Sequence, residues 1–440
     1  MKVDTLINSR WIIPVVPDNL VLENHSLIVH EGKIIDLLPQ EVAKSKYQAT
    51  NTETLSNHAL IPGLINAHTH AAMSLMRGVA DDLPLMTWLN EHIWPLESKW
   101  VGESFVHDGS ELAIAEMIRG GITCFNDMYF FPEVTARVAR KAKIRASIGM
   151  IVIDFPSAWA QNSDEYLSKG LSLHDEFKHD PLISLMFAPH APYTVSDEPL
   201  KKLQMYADEL QHPVHIHLHE TEQEITDSLQ QNGVRPIERL RKLQMVGPSL
   251  TAVHMTQLDK AEIDLLAKSG CSVVHCPESN MKLASGFCPL TALIDSGVNV
   301  ALGTDGAASN NDLDLLGEMR TAALLGKAIS NDARSIPAAT ALKMATLNGA
   351  KALGIEAITG SLEIGKVADM TAITLTDQIE TAPVFDPLSQ IVYSAGRNQV
   401  TDVWVSGHQV LKSKQLTTLD KVTILEKAKS WGEKLQKNSQ

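Results

Sequence analysis

Between Leu60 and Ile329, apolar runs of strand length alternate with segments of helical spacing, eight of each. The strand-like runs lie at 60–66, 122–127, 144–153, 182–188, 214–218, 250–255, 272–275 and 298–304. The helical patterns lie at 103–119, 133–141, 164–177, 198–209, 235–243, 260–268, 289–295 and 312–329. Continuous apolar strands are buried on both faces, so they pair in parallel beneath a layer of helices. Eight such units over about 250 residues is the count of an α/β chain that closes into a (β/α)8, TIM-type barrel. A doubly wound open sheet is the other arrangement of such units. No GxGxxG turn follows the first run, which weighs against a nucleotide-binding sheet.

The flanks have a different rhythm. Residues 3–7, 11–15, 26–30 and 33–38 are β-rich, with turn signals at Pro17-Asp18-Asn19 and Glu31-Gly32-Lys33. Residues 366–375 and 400–410 read alike, with a turn at Ser406-Gly407-His408. Neither end alone can bury much core. Residues 1–60 and 361–421 are therefore expected to combine into a small β-sandwich domain beside a barrel at 61–360. The helical spacing of Ile424, Leu425, Ala428, Trp431 and Leu435 places a C-terminal helix at 422–440.

Charge and composition exclude several classes. Lys+Arg number 38 and Asp+Glu 52, a formal charge of −14. An acidic surface repels phosphate backbones, and the basic cluster from Arg235 to Lys242 is broken by Glu238 and apolar residues, so no nucleic-acid partner is expected. No run of about 18 apolar residues offers a membrane span, and Met1-Lys2-Val3-Asp4 leads into no apolar secretion segment. Cys124, Cys271, Cys276 and Cys288 form no CxxC pair, so reduced thiols in a cytoplasmic protein are expected rather than a disulfide framework.

In a (β/α)8 barrel, chemistry sits at the carboxyl ends of the strands. Polar residues of this chain collect there. The first run ends in His68-Thr69-His70, two imidazoles at i and i+2 on one strand face, able to fill two positions of a zinc ion. Alone, such a pair is as readily structural. The fifth run carries His215, His217, His219 and then Glu220, a set that is expensive to bury without a charge partner. The sixth ends at His254 and the eighth in Gly303-Thr304-Asp305-Gly306. Either could be a satisfied core or turn residue, but all four sets fall at equivalent points of a repeating architecture.

With these residues in place, the chain resembles the amidohydrolase superfamily of metal-dependent hydrolases. Within it, the likeness is to the branch holding 5′-methylthioadenosine/S-adenosylhomocysteine deaminases and triazine chlorohydrolases. It runs through residues 61–70, His215 to Glu220, His275 to Gly286, Gly303 to Asn311 and Gly360 to Asp369. The resemblance implies one divalent metal held by His68, His70, His217 and Asp305, zinc first, with iron(II) sharing the same donor preferences. His217 is favoured over its two neighbours because the family ligand lies three residues before the Glu. Residues 182–190 contain no Lys or acidic ligand, which implies a mononuclear site. Glu220, His254 and Asp305 are the implied catalytic residues. Glu220 moves protons, His254 orients the attacking water and Asp305 takes its proton.

Substrate contacts follow from the same resemblance. Glu97 matches a position that binds ribose hydroxyls, and His190 a contact at the end of the fourth strand. Glu220 and Asp305 also face the substrate. Trp88 matches a residue flanking the nucleoside, although an indole in a helical loop serves a core equally well. Met73 and Met76 could line a slot for a thioether or act as plain filler. The expected activity is deamination of a 6-aminopurine nucleoside, 5′-methylthioadenosine or S-adenosylhomocysteine. A guanine, other aminopurine or triazine hydrolase is the alternative. The partner is a small nucleoside. Barrels of this family often pair, so a homo-oligomer is compatible with the sequence.

Overall fold

The computed structural model describes residues 1–436. The last four positions of the expected helix at 422–440 lie outside the described residues. Eight parallel strands form one sheet in strict sequence order. They are Leu64–Thr69, Ile122–Asp127, Arg145–Val152, Ile183–Pro189, Val214–Leu218, Leu250–His254, Ser272–His275 and Asn299–Leu302. We call them barrel strands one to eight. Every residue of strands two and three is buried, as expected where helices cover one side and a packed interior the other.

The barrel closes where strand eight meets strand one. Asp305 N–H donates to the His68 carbonyl at 3.0 Å, and Thr304 N–H to Asn66 Oδ1 at 3.0 Å. Gly303 permits this approach: a Cβ there would lie 2.8 Å from His68 Cβ and 2.9 Å from its backbone nitrogen. The outer helices present apolar stripes at helical spacing. In Pro132–Ala142 the buried face includes Thr135, Val138, Ala139 and Ala142. Lys260–Ser269 opens with a capping box between Asp259 and Glu262, satisfying amide donors that the helix itself leaves unpaired.

Two short helices, Ala338–Met344 and Leu347–Ala352, lay outside the sequence expectation. Ala350, Leu353 and Ile355 pack against Ile65, Cys124 and Met186 in one cluster, which plugs the barrel at the amino ends of its strands. The cavity therefore opens at the carboxyl ends.

The terminal segments build a second, mixed sheet of eight strands. The 15-residue strand Gln48–Pro62 is its seam, parallel to Lys2–Ile12 and antiparallel to Met370–Thr374. The sheet folds over itself. Ile7 and Leu27 from one half share a core with Met370 and Trp404 from the other, and a Cβ on Gly32 would sit 2.7 Å from the Ser406 carbonyl oxygen. The first expected barrel run, 60–66, divides between the sheets: Leu60 to Pro62 end the seam strand, and barrel strand one begins at Leu64. The expected run 3–7 and the start of the run 11–15 belong to one strand, Lys2–Ile12, and residues 13–15 lie beyond its end. The C-terminal helix, Lys421–Gln436, docks on Glu103–Arg119 through Trp431, whose Nε1 donates to Asp108 at 3.0 Å. No helix among the described residues is long and apolar enough to cross a membrane.

Candidate active site

The carboxyl ends of strands one, five, six and eight, with the residues just beyond them, meet at one point. Ligand atoms of His68, His70 and His217 lie within 4.8 Å of one another, as do those of His68, His254 and Asp305. Asp305 Oδ1 is 3.2 Å from His70 Nε2 and 3.4 Å from His68 Nε2. The Nε2 atoms of His68 and His217 are 3.1 Å apart.

The outward nitrogens fix how these rings are protonated. His70 Nδ1 faces the Met128 carbonyl at 2.6 Å and His217 Nδ1 the His190 carbonyl at 2.7 Å. A carbonyl only accepts, so both Nδ1 atoms carry protons and both Nε2 atoms present lone pairs inward. His68 Nδ1 meets His215 Nε2 at 2.9 Å, and Asn126 Nδ2 contacts the same His215 nitrogen at 3.1 Å. With the His68 proton on Nδ1, its Nε2 also points inward. Two lone pairs at 3.1 Å repel unless a cation lies against both, and a carboxylate completes the set. This donor set fits a divalent metal of nitrogen and oxygen preference.

Burial favours the neutral imidazoles that such an ion requires. It holds His68 down to about 4, helped by the neighbouring rings, and His217 well below its usual value. His70 is the exception in the absence of an ion. Burial works against its charge, but the bond to Asp305 and the charge of that carboxylate outweigh it and hold His70 near 9. Burial works against the Asp305 carboxylate too, and bonds from His68 and His70 overcome it, holding the group well below the usual range.

The three strand-five histidines have different surroundings. His217 faces the cluster and His215 backs His68. His219 is tied elsewhere, its Nδ1 on the Gln257 carbonyl at 3.0 Å and its Nε2 accepting from Ile237 N–H at 3.0 Å. Glu220 is buried, with Oε2 3.8 Å from His254 Nε2 and Oε1 accepting from Ser285 Oγ at 3.4 Å. Burial pushes its carboxyl up, toward the protonated form. His254 Nδ1 donates to Asn280 Oδ1 at 2.8 Å, leaving Nε2 to face Glu220.

His70, His217, Glu220, His254 and Asp305 form the floor of a cavity of about 550 Å³. Glu97, Trp88, His190 and Met73 line it as well; Met76 is buried beside it in the apolar cluster instead. Glu97 and Trp88 come from the irregular stretch after strand one, where Leu85–Thr87, Trp88–Ile93 and Trp94–Trp100 follow without a break. Burial pushes the Glu97 carboxyl up to about 7, against a hydrogen bond from Tyr129 OH to its Oε1 at 2.6 Å. His190 Nδ1 contacts Thr194 Oγ1 at 3.0 Å, and burial holds its ring down to about 3.

Sequence reasoning passed over three residues. Tyr129 lies two residues beyond the end of the second strand, and that position at the barrel mouth was the available signal. Ser279 and Ser309 donate to Asp305 Oδ2 at 2.7 and 3.0 Å, leaving Oδ1 for the cluster. Hydroxyls are too common in turns for sequence to single them out.

Comparison with known proteins identifies the family. The amidohydrolase family model matches residues 59–410. A protein of Teredinibacter turnerae named 5-methylthioadenosine/S-adenosylhomocysteine deaminase is 51% identical over 98% of each chain. Its namesake in Saccharophagus degradans is 49% identical over 98% of this chain and 97% of its own. A zinc-bound crystal structure described as an adenosine deaminase of Xanthomonas campestris superposes with a TM-score of 0.98, at 51% identity and 99% coverage of both chains. Atrazine chlorohydrolase of Arthrobacter aurescens has a TM-score of 0.90 at 22% identity, covering 97% of this chain and 99% of its own, a likeness of fold alone. With a family match of that span and full-length relatives at about half identity, the chain belongs to the amidohydrolase family.

Proposed function

We propose that this chain hydrolytically deaminates 6-aminopurine nucleosides, 5′-methylthioadenosine and/or S-adenosylhomocysteine, giving the inosine analogue and ammonia. The relatives' names support the reaction. The observation that carries the nucleoside reading is Glu97, a half-buried carboxyl in the same cavity as the His/Asp cluster. Tyr129 fixes one of its oxygens, leaving the second to accept from vicinal ribose hydroxyls.

His68, His70, His217 and Asp305 would hold one divalent ion, zinc. When bound, such an ion acidifies water and polarises the groups it touches. The side chains do the rest. Glu97 and His190 hold the sugar and base so that C6 of the purine faces Asp305, with Trp88 as a wall. Asp305 accepts a proton as water oxygen bonds to C6, and His254 Nε2 orients that oxygen. Glu220, whose burial favours the protonated form, gives its proton to the adjacent ring nitrogen, a step worth about 10²–10⁴-fold. Asp305 then passes its proton to the amino group. The C6–N bond breaks, ammonia leaves, and the hydroxyl proton on C6 returns to Glu220. Four buried free thiols are consistent with a cytoplasmic enzyme.

Turnover is followed by the ultraviolet change from adenine to hypoxanthine with metal-loaded protein. 5′-Methylthioadenosine should react well and free guanine or a triazine poorly. Glu97→Gln should lower kcat/KM for the nucleoside by about tenfold to a hundredfold. If Glu97→Gln leaves nucleoside turnover untouched while free bases react well, the nucleoside reading fails.

A further inference from the structure

We infer that the subsite for the 5′ group accepts neutral thioethers and rejects the zwitterionic amino-acid tail of S-adenosylhomocysteine. The inference rests on the deaminase reading above and narrows its substrate. It comes from the charge of the whole cavity wall rather than from one contact. Apart from its histidines, the ionisable groups lining the cavity are three acids, Glu97, Glu220 and Asp305, and Tyr129 and Tyr193; no Lys or Arg does so among the described residues. Away from the polar floor, Leu85, Ile93, Trp94, Ile153, Phe155 and Ala158 make the wall apolar. A methylthio group buries its CH₃ and sulfur on such a surface at no polar cost.

An amino-acid tail carries an ammonium and a carboxylate. The ammonium has acids to meet, but the carboxylate finds no cation and is repelled by the same acids. A charge held without a partner in a partly dry site is costly. The tail also gains nothing by reaching further. A second chamber of about 470 Å³ shares Leu85, Phe155, Tyr193 and Glu220 with the first. Asp154, Glu224 and Asp227 line it, and Arg239 is its cation. That guanidinium is already committed to Asp197 Oδ1 at 2.7 Å, the Val195 carbonyl at 3.0 Å and the Pro192 carbonyl.

The experiment compares kcat/KM of the zinc-loaded enzyme for four nucleosides. These are 5′-methylthioadenosine, its neutral butylthio homologue, S-adenosylhomocysteine and adenosine. The butylthio compound should stay within about tenfold of methylthioadenosine, and S-adenosylhomocysteine should fall about a hundredfold or more below it. Adenosine, whose hydroxyl meets an apolar wall, should fall about tenfold. Phe155→Arg places a guanidinium at the mouth, where Phe155 is 42% exposed. It should raise the homocysteine-to-methylthio ratio by about tenfold. S-Adenosylhomocysteine within tenfold of methylthioadenosine overturns the inference. So does a butylthio compound as poor as S-adenosylhomocysteine, because length would then decide. An unchanged ratio in a Phe155→Arg protein that still turns over methylthioadenosine also counts against it. Failure of all four nucleosides would instead overturn the deaminase reading, and the subsite assignment with it.

Discussion

Replacing Tyr129 by Phe removes one hydroxyl and leaves the ring. That hydroxyl donates to Glu97 Oε1 at 2.6 Å, which favours the carboxylate, while burial pushes the group the other way and leaves it at about 7. Besides Tyr129, the charge acting on Glu97 is that of His70. A hydrogen bond to a charged group is worth about 1.5–3 kcal/mol, and one pKa unit is about 1.36 kcal/mol. Without the Tyr129 hydroxyl, Glu97 should therefore titrate about one to two units higher. The sign is fixed by the chemistry. A carboxyl with a raised pKa stays protonated to higher pH, so the carboxylate proposed to bind the ribose is lost sooner as pH falls. At pH 7 the ionised share should drop from about half to about 1–10%. The kcat/KM for 5′-methylthioadenosine should fall about 5- to 50-fold at pH 7 and recover most of the loss by about pH 9. The 2′,3′-dideoxy analogue, which has no vicinal hydroxyls, should show no shift between the two proteins. Profiles from about pH 5.5 to 9.5, read by the adenine-to-hypoxanthine change, measure all of this. Superimposable acid limbs in the two proteins, or the same displacement with the dideoxy analogue, would refute the role assigned to Glu97 and Tyr129.

Stripping the divalent ion with a chelator should cost stability as well as turnover, because four converging donors lose their common partner. An ion at a thousand times its Kd contributes about 4 kcal/mol, so Tm should fall by several degrees and return on adding zinc; an unchanged Tm with full activity would remove the metal from the site. Arg145, at the foot of barrel strand three, bonds Asp369 Oδ2 at 3.0 Å and Ser406 Oγ at 2.9 Å, joining the barrel to the mixed sheet. The side chains of Arg145 and Asp369 are only 5% and 0% exposed. Arg145→Met leaves the acid buried alone and should cost about 3–5 kcal/mol in urea unfolding, partly regained in the double variant with Asp369→Asn. No regain would show that the ion pair is not what the first substitution breaks.

The groups that converge on the candidate centre were easiest to read because each is announced locally. His68-Thr69-His70 and Val214-His215-Ile216-His217 place imidazoles on apolar strands, where a polar residue costs energy and needs a reason. Barrel topology then carries strand ends that lie far apart in sequence to one mouth. The walls of the cavity lacked such signals. The stretch from Ala71 to Trp100 passes through a 3₁₀ turn, a π turn and short helices, so Trp88 and Glu97 sit in no periodic pattern. Their placement rested on likeness to relatives. The long seam strand Gln48–Pro62 was legible only at its last three residues, because the polar stretch Asn51 to Ser56 within it alternates too weakly to read as β.

The backbone at the strand ends shows why local reading stops there. His219, His254 and Asp305 take φ values of +53°, +75° and +60°, the left-handed region that residues with a Cβ enter at a cost. Each such residue costs about 1–3 kcal/mol, even though His and Asp enter this region more readily than most side chains. The surrounding structure imposes it: Thr256 N–H and Gln257 N–H both bond the His219 carbonyl, and Asp305 N–H bonds the His68 carbonyl. A strand that ran on in extended form would keep strict alternation and carry its next side chain to the opposite face. Turning left-handed at the strand end or just beyond it breaks that alternation at the barrel mouth. His254 meets Glu220 across it, and Asp305 meets His68 and His70. Local preference and tertiary demand part company at these three positions, and conflict of that kind concentrates where chemistry is done. The positions of such residues follow from packing across strands, which a one-dimensional pattern does not contain.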